Sequence, residues 1–321
     1  MNKTQTSIST AALLAVAVVL LVMPRPAQAQ TGYSGLVVFG TSLSDPGNAF
    51  VLRGDAATPP DFQMNPLLIP SLPYAKGGHH FSNGATWVEQ YARSVGLGDS
   101  VKAALATTDP VATNFAVGAA RAYDDGSNFN LTLQVTTFLQ RAGGVASPQA
   151  LYVIEMGSND IRDAFASYVS GGNGGLILTA AIRSIATNSQ RLYVAGARNF
   201  LVWAPPNVGL TPAVRSLGPA AVAGITNVTL AFNAGLTGVL TQLEAALQGV
   251  TFTRLDAFAA LNAIVAVPAA FGLTTVTTPC LTPNDAPFSC SDARDYLFWD
   301  GIHPTKAGHA ILAQITGAVL P

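Results

Sequence analysis

Charged residues are scarce in this chain of 321 residues, at 10% of positions, and neither sign dominates. The 16 Lys and Arg nearly balance the 17 Asp and Glu, so the formal net charge is −1. A nucleic-acid-binding protein is therefore disfavoured, because no basic excess is available to neutralise phosphates. Disorder is excluded as well, since disordered chains combine low hydrophobicity with high net charge and 49% of these residues are hydrophobic.

The apolar run near the N-terminus, residues 11–23, is too short to cross a membrane. A transmembrane helix needs about 20 apolar residues. Lys3 precedes the run, and the triplet Ala27-Gln28-Ala29 follows it, which is the pattern of a cleavable export signal. We therefore expect residues 1–29 to be a signal peptide. The alternative is an uncleaved membrane anchor, which the short run disfavours.

Residues 30–321 are then expected to form one exported domain, in the periplasm or outside the cell, with no stable membrane anchor. The chain contains no linker-like stretch, repeat or block of charge that would divide this region. We expect the domain to be a monomer.

Cysteine occurs only twice, so a small fold held together by several disulfides is excluded. Cys280 and Cys290 flank a short loop, CLTPNDAPFSC. In an oxidising compartment a disulfide is expected here, which would contribute about 2–3 kcal/mol by restricting the unfolded loop. A metal pair is the alternative, but two sulfurs without a histidine in the loop do not make a zinc site.

Short apolar runs that end in glycine or proline alternate with longer amphipathic stretches along the chain. This alternation is typical of a parallel sheet covered by helices on both faces, so we predict an α/β fold with one doubly wound, mainly parallel, five-stranded sheet. The predicted strands are residues 36–39, 113–117, 150–156, 200–204 and 251–255. The predicted helices are residues 85–95, 131–141, 176–197, 219–247 and 305–320.

Polar residues follow the apolar runs at four places that are far apart in sequence: residues 40–45, Gly118, residues 157–160 and residues 299–304. Because functional sites of open parallel sheets lie at the carboxyl ends of the strands, we expect these segments to meet at one edge.

A serine hydroxyl needs a positioned base to act as a nucleophile, and the base needs a group that holds its tautomer. Asp300 lies three residues before His303, on a segment that Pro304 keeps out of the following helix. The carboxylate can then reach Nδ1 of the imidazole and leave Nε2 facing Ser42. For the oxyanion of a tetrahedral intermediate, the candidate donors are the N–H groups of Ser42 and Gly118 and the side-chain amide of Asn159.

Each of these residues also has a purely structural interpretation when taken alone. Ser42 and Asn159 could cap helices, Gly118 could serve a turn, and Asp300 with His303 could be a surface ion pair. Among the other histidines, we interpret His80 as part of a solvated loop and His309 as a surface residue.

Four segments in order resemble the conserved blocks of the SGNH/GDSL hydrolase family: GTSLSDPGN, NFAVGAA, GSND and DGIHPT. The likeness extends over the whole region after the signal peptide, and it is greatest to bacterial phospholipase/lecithinase/haemolysin-like esterases and autotransporter-passenger esterases. The resemblance implies a flavodoxin-like SGNH hydrolase fold and a serine esterase or lipase without metal or cofactor. Its substrate would be a small-molecule or lipid ester.

Carried over residue by residue, the resemblance places the nucleophile on Ser42, the oxyanion donors on Ser42, Gly118 and Asn159, and the acid–base pair on Asp300 and His303. One position departs from the family pattern, because Thr41 replaces the usual aspartate beside the nucleophile. Two other functions therefore stay open: a lipid acyltransferase that uses the same site, and a non-catalytic binding protein that keeps the fold.

Overall fold

A computed structural model describes residues 32–126 and 129–320, and at its centre four parallel strands pair in the order β1-β2-β3-β4. The proposed signal peptide lies outside the described residues. Every residue of β1 and β2 is buried, which explains why these strands appear in the sequence as continuous apolar runs. The strands are Leu36–Gly40 (β1), Leu151–Glu155 (β2), Asn199–Ala204 (β3) and Thr251–Asp256 (β4).

The predicted fifth strand, residues 113–117, runs along the free edge of β1 without forming a regular ladder. The N–H of Phe115 donates to the carbonyl of Val38 at 2.8 Å, as in a strand. The N–H of Thr113, however, donates to the carbonyl of Ser100 and not to β1. The Thr113 hydroxyl instead donates to the carbonyl of Leu36 at 2.5 Å. The predicted parallel sheet is therefore confirmed, but it has four regular strands and one irregular edge segment in place of five strands.

Helices cover both faces of the sheet, as predicted, because alternate side chains of β1 enter two different cores. Val37 and Phe39 belong to one apolar cluster, whereas Leu36 and Val38 belong to the other. The helices are Asn48–Arg53 (α1), Trp87–Ser94 (α2), Leu131–Arg141 (α3), Ser158–Val169 (α4), Gly174–Ala195 (α5), Pro212–Arg215 (α6), Pro219–Ala246 (α7), Ala257–Ala266 (α8) and Lys306–Val319 (α9).

Helix α7 is the one helix within residues 32–126 and 129–320 that is long and apolar enough to cross a membrane, judged by length and composition. Its residues Ile225, Phe232 and Leu236 are buried in the larger core cluster. One face of α7 therefore packs on the sheet.

A small second sheet lies next to the last helix, formed by Thr275–Pro279 (β5) and Tyr296–Phe298 (β6). The disulfide between Cys280 and Cys290 is present, which confirms the predicted pairing. The N–H of Cys280 donates to the carbonyl of Phe298 at 3.0 Å, and that of Leu281 donates to Trp299 at 2.9 Å. The bridged loop therefore braces the backbone that leads to Asp300.

Candidate active site

Ser42 and His303 come from opposite ends of the chain and meet at the carboxyl edge of the sheet. Ser42 follows β1 by two residues, and His303 lies just before α9. The Nε2 atom of His303 is 2.9 Å from the Ser42 hydroxyl. The hydroxyl of Thr305 caps α9 by accepting the N–H of Gly308 at 3.0 Å, which fixes where the helix begins and the loop ends.

Asp300 completes the arrangement on the other side of the imidazole. Its Oδ2 lies 2.6 Å from Nδ1 of His303, and its Oδ1 accepts the N–H groups of Ile302 and His303, each at 2.8 Å. Asp300 is fully buried and His303 is 3% exposed, so little water competes for these bonds. This hydrogen-bond network assigns the proton to Nδ1 and leaves Nε2 as the acceptor of the serine proton.

Tyr74 is a further member of the site that the sequence analysis did not identify. Its hydroxyl donates to Oδ2 of Asp300 at 2.6 Å, and the residue is 2% exposed. Burial, and then the charge of Asp300, raise the pKa of Tyr74 well above its usual value, so the phenol keeps its proton. Tyr74 lies in a long irregular segment between α1 and α2, where no periodicity or spacing signals such a contact.

Asn159 is held at the start of α4, close to the end of β2. Gly157 precedes the helix with a φ of 116°, a left-handed conformation that suits glycine, and this turn lets the helix begin at Ser158. One N–H of the Asn159 amide donates to the carbonyl of Ala120 at 2.9 Å. No described residue accepts the other amide hydrogen, and the backbone N–H of Ser42 donates to no described residue.

Gly118 does not fit its predicted role as an oxyanion donor in this conformation. Its N–H donates to Oδ2 of Asp45 at 2.8 Å. A Cβ at this position would lie 2.1 Å from the ring of Phe81, which itself packs 5.4 Å from the His303 ring. Glycine is thus required here for space. The next N–H, that of Ala119, donates to no described residue, and Ala119 has a φ of 68°.

Thr41, the departure from the family pattern, faces a buried carboxylate. Its N–H and its hydroxyl both donate to Glu155 at the end of β2, at 3.0 Å each. Burial raises the pKa of Glu155 to about 7, while the bonds from Thr41 and Ser44 act in the opposite direction.

The interpretation of His80 and His309 as solvated was wrong. His309 is 1% exposed, its Nδ1 accepts the N–H of Trp87 at 3.2 Å, and burial lowers its pKa to about 3, assisted by His80 and His303. His80 is also buried, and its Nε2 lies 2.8 Å from Glu89. His80 lies in the segment between α1 and α2 and His309 on α9, and both contact α2, whose packing the sequence pattern does not reveal.

These groups together have the parts needed for acyl transfer. A hydroxyl adjoins an imidazole, a buried carboxylate contacts the other nitrogen of that imidazole, and N–H groups without a described acceptor lie after β1 and β2. Serine nucleophiles are activated by this combination of base and orienting acid.

The chain is similar to known proteins of one family. Residues 36–316 match the family described as GDSL-like Lipase/Acylhydrolase. A GDSL esterase/lipase of Arabidopsis thaliana is 26% identical, over 92% of this chain and 88% of its own length. A second from the same organism is 27% identical, over 88% of this chain and 85% of its own length.

Among solved structures, the chain is similar to an extracellular lipase from Streptomyces rimosus, with a TM-score of 0.39 and 15% identity. That alignment covers 89% of this chain and 99% of the other.

Proposed function

Because this chain belongs to the GDSL-like lipase/acylhydrolase family, we propose that it is a serine esterase that hydrolyses carboxylic esters through an acyl-enzyme on Ser42. The observation that carries the proposal is the unbroken hydrogen-bonded path from the Ser42 hydroxyl through His303 to Asp300. The relatives are named as esterases and lipases, which supports an ester of a small molecule or a lipid as the substrate.

The reaction begins when Nε2 of His303 takes the proton of Ser42 and the serine oxygen attacks the ester carbonyl. Asp300 stabilises the resulting imidazolium, which then gives its proton to the departing alcohol. Water enters, His303 removes its proton, and the acyl-enzyme is hydrolysed by the same steps in the second half of the cycle.

The oxyanion formed in each half-reaction is bound by the N–H of Ser42 and the free amide hydrogen of Asn159. The third predicted donor, the N–H of Gly118, is engaged with Asp45, so we propose Ser42 and Asn159 as the donors that act in this conformation. Removing one such donor typically costs a factor of about 10²–10³ in turnover.

Export of the protein is part of the proposal. The N-terminal pattern of residues 1–29 and the disulfide between Cys280 and Cys290 support it, because disulfides persist in oxidising compartments.

Two single substitutions, Ser42→Ala and His303→Ala, test the assignment. Each is expected to abolish turnover of p-nitrophenyl esters while the circular dichroism spectrum stays that of the native protein. Ser189→Ala is the matched control, because it removes a buried hydroxyl that has no partner among the described residues and lies on helix α5. Near-native rates in either site variant would show that another group carries the reaction.

Labelling with a serine-reactive fluorophosphonate separates the esterase from a non-catalytic binding protein, since only the esterase forms an adduct on Ser42. Product analysis in the presence of a competing alcohol separates it from an acyltransferase, which would transfer the acyl group to that alcohol in preference to water.

A further inference from the structure

A buried carboxylate lies directly under the turn that carries Ser42. Glu155 is the last residue of β2, pairs in register with Gly40 at the end of β1, and is 1% exposed. A Cβ on Gly40 would come within 3.1 Å of its Oε2, so the backbone of the turn rests on the carboxylate.

The turn satisfies this carboxylate almost entirely by itself. Oε2 of Glu155 accepts the N–H of Thr41 at 3.0 Å and the hydroxyl of Ser44 at 3.1 Å. The Thr41 hydroxyl lies 3.0 Å from Oε2 and 3.1 Å from Oε1. The donors therefore come from the residue immediately before Ser42 and from the second residue after it.

The network continues into α2, because the indole N–H of Trp87 donates to the Ser44 hydroxyl at 3.0 Å. Because the Ser44 hydroxyl accepts this bond from Trp87 and donates its own to Glu155, the indole helps to orient the hydroxyl toward the carboxylate. No Lys, Arg or His nitrogen within the described part of the chain forms an ion pair with Glu155. A buried carboxylate that relies on hydrogen bonds alone is costly to keep, and such groups are concentrated at functional sites.

We propose that Glu155 is the positioning residue of the nucleophile turn, and that it supplies from β2 the carboxylate that this sequence lacks at position 41. It acts through the backbone of Thr41 and the two flanking hydroxyls, holding the Ser42 hydroxyl at hydrogen-bond distance from His303. This inference rests on the proposed function, because it assigns Ser42 as the nucleophile.

The test moves the carboxylate from the end of β2 to the turn that follows β1. Thr and Asp are similar in size, so Thr41→Asp places a carboxylate where the threonine hydroxyl now lies about 3 Å from Glu155. Two buried carboxylates at that distance cannot both ionise freely, and this variant alone should be impaired. Glu155→Gln alone removes the charge that orients the donors, and it should be impaired as well.

Combined, Thr41→Asp and Glu155→Gln restore one carboxylate to the same cluster. The matched control is Thr41→Asn, alone and combined with Glu155→Gln, because asparagine has the shape of aspartate without its charge. Turnover of p-nitrophenyl acetate is measured per Ser42 that reacts with a fluorophosphonate, so that a loss of folded protein does not count as a loss of activity.

We expect each of Thr41→Asp and Glu155→Gln to lower kcat about 10–100-fold, the range reached when a reacting group is misplaced by about 1 Å. The double variant with aspartate should recover to within about fivefold of the native kcat, because it again has one charged carboxylate that holds the nucleophile turn in place. The double variant with asparagine should not recover, because it has no such charge.

Two outcomes would overturn the role of Glu155. In the first, the losses in kcat from Thr41→Asp and Glu155→Gln add up in the double variant. In the second, Thr41→Asn combined with Glu155→Gln recovers kcat as well as the aspartate double variant does. If the native protein neither hydrolyses the ester nor reacts with the fluorophosphonate, the proposed function itself fails. The same five variants then still report on the carboxylate through their melting temperatures, where of the two double variants only the one with Thr41→Asp should be restored to near the native value.

Discussion

The hydroxyl of Tyr74 and the Nδ1 atom of His303 share one oxygen, Oδ2 of Asp300, each at a distance of 2.6 Å. The carboxylate therefore divides its acceptor capacity between the imidazole and a buried phenol that comes from a different part of the chain. This sharing ties the position of the carboxylate to the packing of the segment that carries Tyr74.

Replacing Tyr74 by Phe tests this relationship. Without the phenol, the Asp300 carboxylate keeps the bonds from the imidazole and from the N–H groups of Ile302 and His303, so its position is less well defined. A displaced carboxylate orients the base less well, and we expect kcat for a p-nitrophenyl ester to fall about 10–100-fold.

Tyr91→Phe is the matched control for that experiment. The Tyr91 hydroxyl is buried and has no partner among the described residues, so its removal should leave ester turnover unchanged. Native turnover in Tyr74→Phe would mean that the phenol does not position Asp300.

Gly118→Ala is expected to disturb the site through packing. The new methyl group would lie 2.1 Å from the Phe81 ring, and that ring contacts the His303 imidazole. Overpacking of a well-filled core typically costs about 1–3 kcal/mol, and the displaced ring should lower kcat as well. Urea denaturation and ester turnover measure the two effects.

Gly238→Ala provides the comparison, because a Cβ at that position in α7 meets no atom within 4 Å. In a helix interior this change should raise the free energy of unfolding by about 0.5–1 kcal/mol. A stable and fully active Gly118→Ala variant would contradict the packing role assigned to the glycine.

The buried imidazole of His309 predicts a pH-dependent stability. Burial lowers its folded-state pKa to about 3, against a usual value of 6.5, so the native state resists protonation that the unfolded chain accepts. This difference in pKa therefore costs no stability above pH 6.5, and it lowers the free energy of unfolding progressively as the pH falls from 6.5 toward 3. His309→Asn keeps an acceptor near the N–H of Trp87 but removes the titrating group.

We therefore expect His309→Asn to be less stable than the native protein at pH 8, and this difference to shrink at pH 4.5 by an amount on the order of a few kcal/mol. Urea denaturation at both pH values measures it. An unchanged difference between the two pH values would show that His309 does not titrate as described.

Local signals in the sequence were enough to predict most of the sheet and the position of Asp300 and His303 on one loop. The apolar runs of β1 and β2 end in glycine, and the polar residues after them define the edge where Ser42 and Asn159 lie. The spacing between Asp300 and His303 placed both on one loop, since Pro304 ends any helix there. These features depend on neighbouring residues, which a single sequence displays directly.

The contacts that the sequence did not predict are made by side chains far apart along the chain. Tyr74 reaches Asp300 across 226 positions, and the N–H of Gly118 is taken by Asp45 across 73. The residue types alone do not reveal these pairings, because each depends on how an irregular segment packs. Likewise, the burial of His309 becomes visible only once α2 and α9 are in contact.

The disulfide between Cys280 and Cys290 makes the segment before Asp300 sensitive to the redox conditions around the protein. The carbonyls of Phe298 and Trp299, just before Asp300, accept the N–H groups of Cys280 and Leu281, so the backbone that leads to Asp300 is bonded to the loop that the disulfide closes. A newly made chain in a reducing cytosol would lack this covalent brace. Under the proposed export, the loop would be closed only after the chain reaches an oxidising compartment.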